Sequence, residues 1–290
     1  MPANPILIRI PTTDGLLLDG ALSEPLPAKP KSRAWVFLHG TGSNFTAPGI
    51  LEGLAQLFVT RGEAVLRVNT RGHDLHAKIP TMSGSVPGGA AFENVGDAHL
   101  DVSAACAALL EAGYDKLSLL GHSLGGVKAI TSQSDHPVAE VDEIIALSPP
   151  RLRYEQLIQD HEFRRQFEHA RQLADSGRGQ EFVEMTSPLK LWMPAQSVVE
   201  KYGVEDRLDL IEHLTRVKPA TLIVLDTKSL ESSAAHKGLD ESLGELARSH
   251  SALAVQRHPD DIRYAGSEVA IANHIAAWRS KRDAVMDAGI

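Results

Sequence analysis

A serine hydroxyl becomes a useful nucleophile only when the backbone exposes it and a neighbouring base can take its proton. Ser123 lies in Gly121-His122-Ser123-Leu124-Gly125, the G-x-S-x-G spacing in which a strand reverses into a helix and lifts the serine to the tip of a sheet. Such a turn strains its central residue and leaves no room for side chains on either flank, which accounts for Gly121 and Gly125. The N–H of Leu124 then falls at a helix start with no intrahelical partner, a candidate donor to a developing oxyanion. The Thr41 N–H is the second candidate donor, in the small-residue stretch His39-Gly40-Thr41-Gly42-Ser43-Asn44, where His39 itself reads as structural.

Acyl chemistry at such a serine also asks for a base and an acid. In a parallel sheet the site gathers at the carboxyl ends of the strands, and this sorts the thirteen histidines. His258 directly follows the last apolar strand and is the expected base. His250 precedes that strand, His274 falls within the closing helix, and His122 adjoins Ser123 with its side chain expected to point away. His236, in the loop after the preceding strand, is the alternative base. The order nucleophile, acid, base then places a carboxylate between Ser123 and His258. Glu231 is preferred, being far enough past its strand to curl back toward an imidazole, and Asp226 at the strand tip is the alternative acid.

Other reactive residues fit blander roles. His73, Asp74 and His76 fall within four residues, but no further acid and histidine cluster completes a metal site. They read as a structural turn, and neither a metal nor any other cofactor is expected. Cys106, the sole cysteine, reads as a small core-facing residue. The net charge of −8, with both signs interspersed, offers no basic stripe for a phosphate backbone, so nucleic acid is not an expected partner. The opening MPANPILIRIP lacks a basic stretch followed by a long apolar one, and no later run approaches a bilayer span. A soluble, cytoplasmic protein without a membrane partner is the expectation.

The elements that must position these residues follow in order. Apolar segments at 6–10 and 16–21 flank the turn signal Thr12-Thr13-Asp14-Gly15 and predict a hairpin. A loop with prolines at 25, 27 and 30 feeds a strand at 35–38. Helical spacing over 48–60 precedes a strand at 64–68, after which a glycine- and proline-rich loop runs to Gly89. A long helix over 92–112 delivers the chain to the strand before Ser123, and another strand occupies 144–147. From 151 to about 216 the sequence is charged and helix-favouring with no obvious strand. Strand and helix then alternate again: 221–225, 239–247, 252–255 and 268–278. The alternation predicts an α/β fold, a mostly parallel central sheet with helices on both faces. Residues 1–149 and 217–290 form the core, and 150–216 are read as an inserted helical cap that shapes the pocket.

With HGTGSN at 39–44, NTRGHD at 69–74, GHSLGG at 121–126 and His258 before a final helix, the chain resembles the α/β-hydrolase superfamily over nearly its whole length. Members commonly carry an aspartate a few residues beyond the acid's strand, in a G-x-x-D-like turn, where LDTKSLE offers Ser229. The resemblance implies a cofactor-independent serine hydrolase with an acyl-enzyme intermediate. Its partner would be a small to medium organic molecule carrying an ester, thioester or related acyl bond. A binding or sensing protein without catalysis and a carbon–carbon bond hydrolase stand as alternatives on the same fold.

Overall fold

The computed structural model describes residues 4–27 and 31–287. The first three residues of MPANPILIRIP and residues 28–30 of the proline-containing loop lie outside the described residues. The chain opens with the expected hairpin, β1 (Ile6–Pro11) and β2 (Leu17–Ser23), closed where Thr12 Oγ1 accepts the Leu16 N–H. Strand and helix then alternate: β3 (Arg33–Leu38), α1 (Ile50–Arg61) and β4 (Ala64–Val68). Residues 77–88, read from sequence as loop, form a small hairpin of β5 (Ala77–Thr81) and β6 (Gly84–Gly88). The helix expected over 92–112 begins later, because Asn94 caps a short 3₁₀ turn before α2 (Ala98–Glu111).

The core continues through β7 (Lys116–His122), α3 (Leu124–Asp135) and β8 (Val141–Leu147). The segment after β8 holds α4 (Tyr154–Leu157), α5 (His161–Asp175), β9 (Phe182–Met185), β10 (Leu191–Pro194), α6 (Ala195–Tyr202) and α7 (Leu210–Leu214). It is therefore not purely helical, since β9 and β10 pair antiparallel. Alternation in FVEM and LWMP marks those strands, but four residues are too few to stand out against the flanking helical pattern. Asp160 starts α5 by accepting the Glu162 and Phe163 N–H groups, and Phe163, Phe167, Ala170 and Leu173 bury one stripe of it. The chain ends with β11 (Ala220–Asp226), α8 (Thr227–Ser232), α9 (Leu239–Ser249), β12 (Leu253–His258) and α10 (Glu268–Asp287).

Eight strands form one sheet in the order β1-β2-β4-β3-β7-β8-β11-β12. The six strands from β4 to β12 are mutually parallel, and only the hairpin edge runs antiparallel. Strand side chains alternate between faces. Trp35, Phe37, Leu120, Leu222 and Val224 pack in one cluster with α1 and α10, whereas Val36, Leu119, Ile223 and Leu225 pack in another with α2 and α9. Burial of such residues contributes roughly 1.5–3 kcal/mol each, so both faces must be covered, as the parallel sheet requires. A third cluster joins Phe163, Phe167, Met193 and Tyr202 of the segment after β8 to Leu124 and Val127 of α3, which brings that segment against the helix that follows Ser123.

Candidate active site

Ser123 sits between β7 and α3 with φ 52 and ψ −124, a backbone region that a non-glycine residue enters only under constraint. Its N–H continues the sheet by donating to the Leu147 carbonyl oxygen at 2.8 Å. The flanking glycines are steric necessities: a Cβ on Gly121 would stand 2.2 Å from the Gly125 carbonyl carbon, and one on Gly125 would stand 2.1 Å from the Leu38 oxygen. Gly40 lets the loop after β3 close on the turn, since its Cβ position is 3.1 Å from Ser123 Cβ. Among the described residues no group accepts the Thr41 or Leu124 N–H, and Ser123 Oγ makes no hydrogen bond. Both residues line the cavity into which Ser123 opens.

The structure does not bring the expected base and acids to the cavity of Ser123: none of His258, Glu231 and Asp226 lines it. His258 ends β12 opposite Asp226 of β11, and its parity with Ala254 turns it toward the α1 and α10 face. There its Nδ1 lies 3.4 Å from His274 Nε2 and its ring tilts against Tyr264, and it does not line the cavity. Glu231 is exposed on α8, a helix that directs it to solvent rather than back to an imidazole. Asp226 is buried and fully committed. Its Oδ2 accepts the Ser148 hydroxyl at 2.6 Å, its Oδ1 accepts the Ser229 N–H at 2.7 Å, and Tyr264 Oη lies 2.6 Å from Ser148 Oγ. Ser148 and Tyr264, like Ser123, hold positive φ, three of the five non-glycine residues that do so among the described residues, with Asp74 and Asp206 the others.

Three other histidines line the cavity with Ser123, namely His39, His122 and His236. His122 Nε2 donates to the Ile262 carbonyl oxygen at 2.6 Å. His236 Nε2 is 3.3 Å from the Ser148 carbonyl oxygen, and its Nδ1 is 3.0 Å from Ser233 Oγ. Burial holds both rings below the usual histidine pKa, opposed by those carbonyl contacts and by the field of Asp226. Each is thus neutral near pH 7, the state a general base needs. His39 is structural, as expected. Its Nε2 accepts the Thr70 N–H at 3.1 Å, its Nδ1 faces the Gly40 carbonyl oxygen, and burial lowers it to about 4.

The cavity holds about 570 Å³ and is bounded by the β3 and elbow loops, the start of α1, and Leu152, Leu189 and Tyr202 of the segment after β8. Behind it lies a charge cluster that sequence reasoning missed. Glu93, wholly buried, meets Lys128 of α3 at 2.6 Å and Lys201 of α6 at 3.3 Å. Burial alone would raise the Glu93 carboxyl, but the two ammonium groups hold it down at about 2. Gly72 makes the room, since a Cβ there would fall 1.8 Å from Glu93 Oε2. Lys128 also donates to Thr70 Oγ1, tying α3 to the loop that supports His39. The available signal was a lysine inside the apolar run GGVKAI and an arginine, Arg67, inside AVLRV. His73, Asp74 and His76 do not converge: His73 Nδ1 bonds Asp74 Oδ2 at 2.9 Å, while His76 packs on Phe92 and Phe182.

A sheet of this order with a serine elbow at its carboxyl edge defines a hydrolase-type α/β protein. The family model described as the Alpha/beta hydrolase family matches residues 35–286, and the chain belongs to that family. No curated protein matches the sequence. Similar solved structures include Est1E from Butyrivibrio proteoclasticus with ferulic acid bound, at 14% identity and TM-score 0.66, covering 96% of this chain and 99% of that one. A Pyrococcus furiosus esterase is 16% identical with TM-score 0.59, covering 96% and 88%. The E-2-(acetamidomethylene)succinate hydrolase is 18% identical with TM-score 0.58, covering 96% and 99%. At these identities the likeness is one of fold. No helix among the described residues is long and apolar enough to cross a membrane.

Proposed function

We propose that the chain is a serine hydrolase cleaving an ester, thioester or related acyl bond of a small to medium organic molecule. The observation that carries this reading is the strained Ser123 elbow facing two unclaimed N–H donors, Thr41 and Leu124, in one cavity. Ser123 Oγ attacks the acyl carbon, its proton passes to His236, and the carbonyl oxygen becomes an oxyanion held by the two N–H groups. Collapse expels the alcohol or thiol, which takes the proton from His236. Water, deprotonated by the same imidazole, then releases the acid and restores Ser123. Asp226 acts on His236 through Ser148, whose hydroxyl it fixes and whose carbonyl oxygen receives His236 Nε2.

A second reading, a ligand-binding protein without turnover, draws on the absence of any hydrogen bond on Ser123 Oγ among the described residues. Catalytic hydrogen bonds are often formed only in the substrate complex, so the hydrolase reading stands first. Hydrolysis of p-nitrophenyl acyl esters of increasing chain length separates the two. Turnover by the unaltered protein that disappears in Ser123→Ala supports the hydrolase, and equal rates in the two proteins on every ester overturn it.

A further inference from the structure

The cavity wall carries one sign of charge. Arg67, Lys201 and Arg263 line it, and no aspartate or glutamate does, in a chain whose net charge is −8. Two of these cations have partners in the protein: Lys201 meets Glu93, and Arg263 meets Asp261 at 3.0 Å. Arg67 has none. It makes no ion pair or side-chain hydrogen bond among the described residues, and its Nε and Nη1 are buried without an acceptor. The field of Glu52 reaches it, but no ion pair forms. Buried donors are almost always satisfied, because an unmatched one keeps its desolvation cost. Phe37, the cross-strand partner of Arg67, lines the same cavity with Phe45, Ile50 and Leu51.

From this juxtaposition we propose that Arg67 is the anion-binding residue of the cavity, and that the acyl compound accepted at Ser123 carries a carboxylate at its far end. The substrate class, though not the anion site, rests on the hydrolase reading. A planar guanidinium matches a carboxylate through two parallel hydrogen bonds once the side chain turns one of its buried N–H groups to the ligand, and the apolar lining takes the methylenes between the two ends of the ligand. The substrate is then an acyl half-ester or half-thioester of a dicarboxylic acid, with the scissile bond at Ser123 and the free carboxylate at Arg67.

The test uses the full chain with Ser123→Ala, which binds esters without cleaving them. Calorimetry compares monomethyl half-esters from succinate to suberate with the corresponding dimethyl esters. The half-esters bind about 10-fold or more tighter, as a charge-assisted pair contributes, with one optimal chain length. Arg67→Gln removes the preference, and Arg67→Lys, which keeps the charge but loses the fork, reduces it. Equal binding of half-ester and diester overturns the proposal with no change at position 67 required, so a variant that fails to fold cannot shelter it. An undiminished preference in Arg67→Gln also overturns it, assigning the anion to Lys201 or Arg263. Failure of the hydrolase reading shows separately, as absence of turnover by protein that retains Ser123.

Discussion

The two ends of the catalytic edge contrast. At the ends of β3 and β7 the packing holds one serine in one strained geometry: glycines at 40, 121 and 125 remove atoms, and α3 begins directly at Leu124. Around β11 and β12 the polar residues are spent on the structure itself. Asp226 is closed into Ser148 and Ser229, His258 packs tilted on Tyr264 and edge-on to His274, and Glu231 faces solvent. In the hydrolase reading proposed above, the site is thus pre-built on its nucleophile side, while its proton-transfer side is drawn from His236 on the connection between α8 and α9. The difference teaches that a strand end at the right edge positions a residue, but the face it points to decides what it can reach.

The largest effect that could break this contrast is on turnover. Ser123→Ala is expected to lower ester kcat by several powers of ten, on the order of 10⁴ to 10⁶, measured with p-nitrophenyl esters. His258→Ala and Glu231→Ala are expected to leave it within a factor of about two, because neither residue faces the cavity. On stability, Glu93→Gln leaves Lys128 and Lys201 buried without a counter-charge and is expected to cost about 3–5 kcal/mol, read by denaturant unfolding. Glu93 titrates at about 2 in the folded chain, below its ordinary 4.5. Its contribution is therefore fully present above 4.5 and is lost as pH falls toward 2, so Glu93→Gln flattens the acid limb of the stability profile in that window.

Gly125→Ala is expected to cost about 3 kcal/mol, since its methyl must displace the Leu38 backbone oxygen. Thermal unfolding checks it, and a neutral result would mean that the turn is less closely packed than described. The smallest effect concerns pH. Burial lowers His236, so the acid limb of kcat/KM is expected below pH 6.5, the ordinary histidine value. A limb above 6.5 would point to a base whose pKa is raised instead.

Much of the nucleophile side was legible because its causes are local. Gly121 and Gly125 announce a turn in which side chains cannot fit, and an apolar run on each side fixes strand and helix. The opening hairpin, the parallel sheet and the closing helix were readable from alternation and turn residues in the same way. The proton-transfer side was legible only as the alternative base, His236, because it depends on parity and loop path. Placing the last strand at 252–255 located His258 at the correct edge. Only the pairing of Asp226 with His258, two steps beyond Val224 and Gln256, shows both residues on the face covered by α10. Arg67 and the Glu93 cluster escaped for a related reason: a charge inside an apolar run signals a buried partner or a ligand, but its partner lies far away in sequence.

The most direct measurement is the rate at which a fluorophosphonate labels Ser123 in the unaltered protein, in His236→Ala and in His258→Ala. A general base contributes roughly 10²- to 10⁴-fold. The account expects labelling to slow by about 100-fold or more in His236→Ala, a loss of the size a general base contributes, and to stay near the unaltered rate in His258→Ala. Slow labelling in His258→Ala with His236→Ala unaffected would contradict it and return the base to the end of β12.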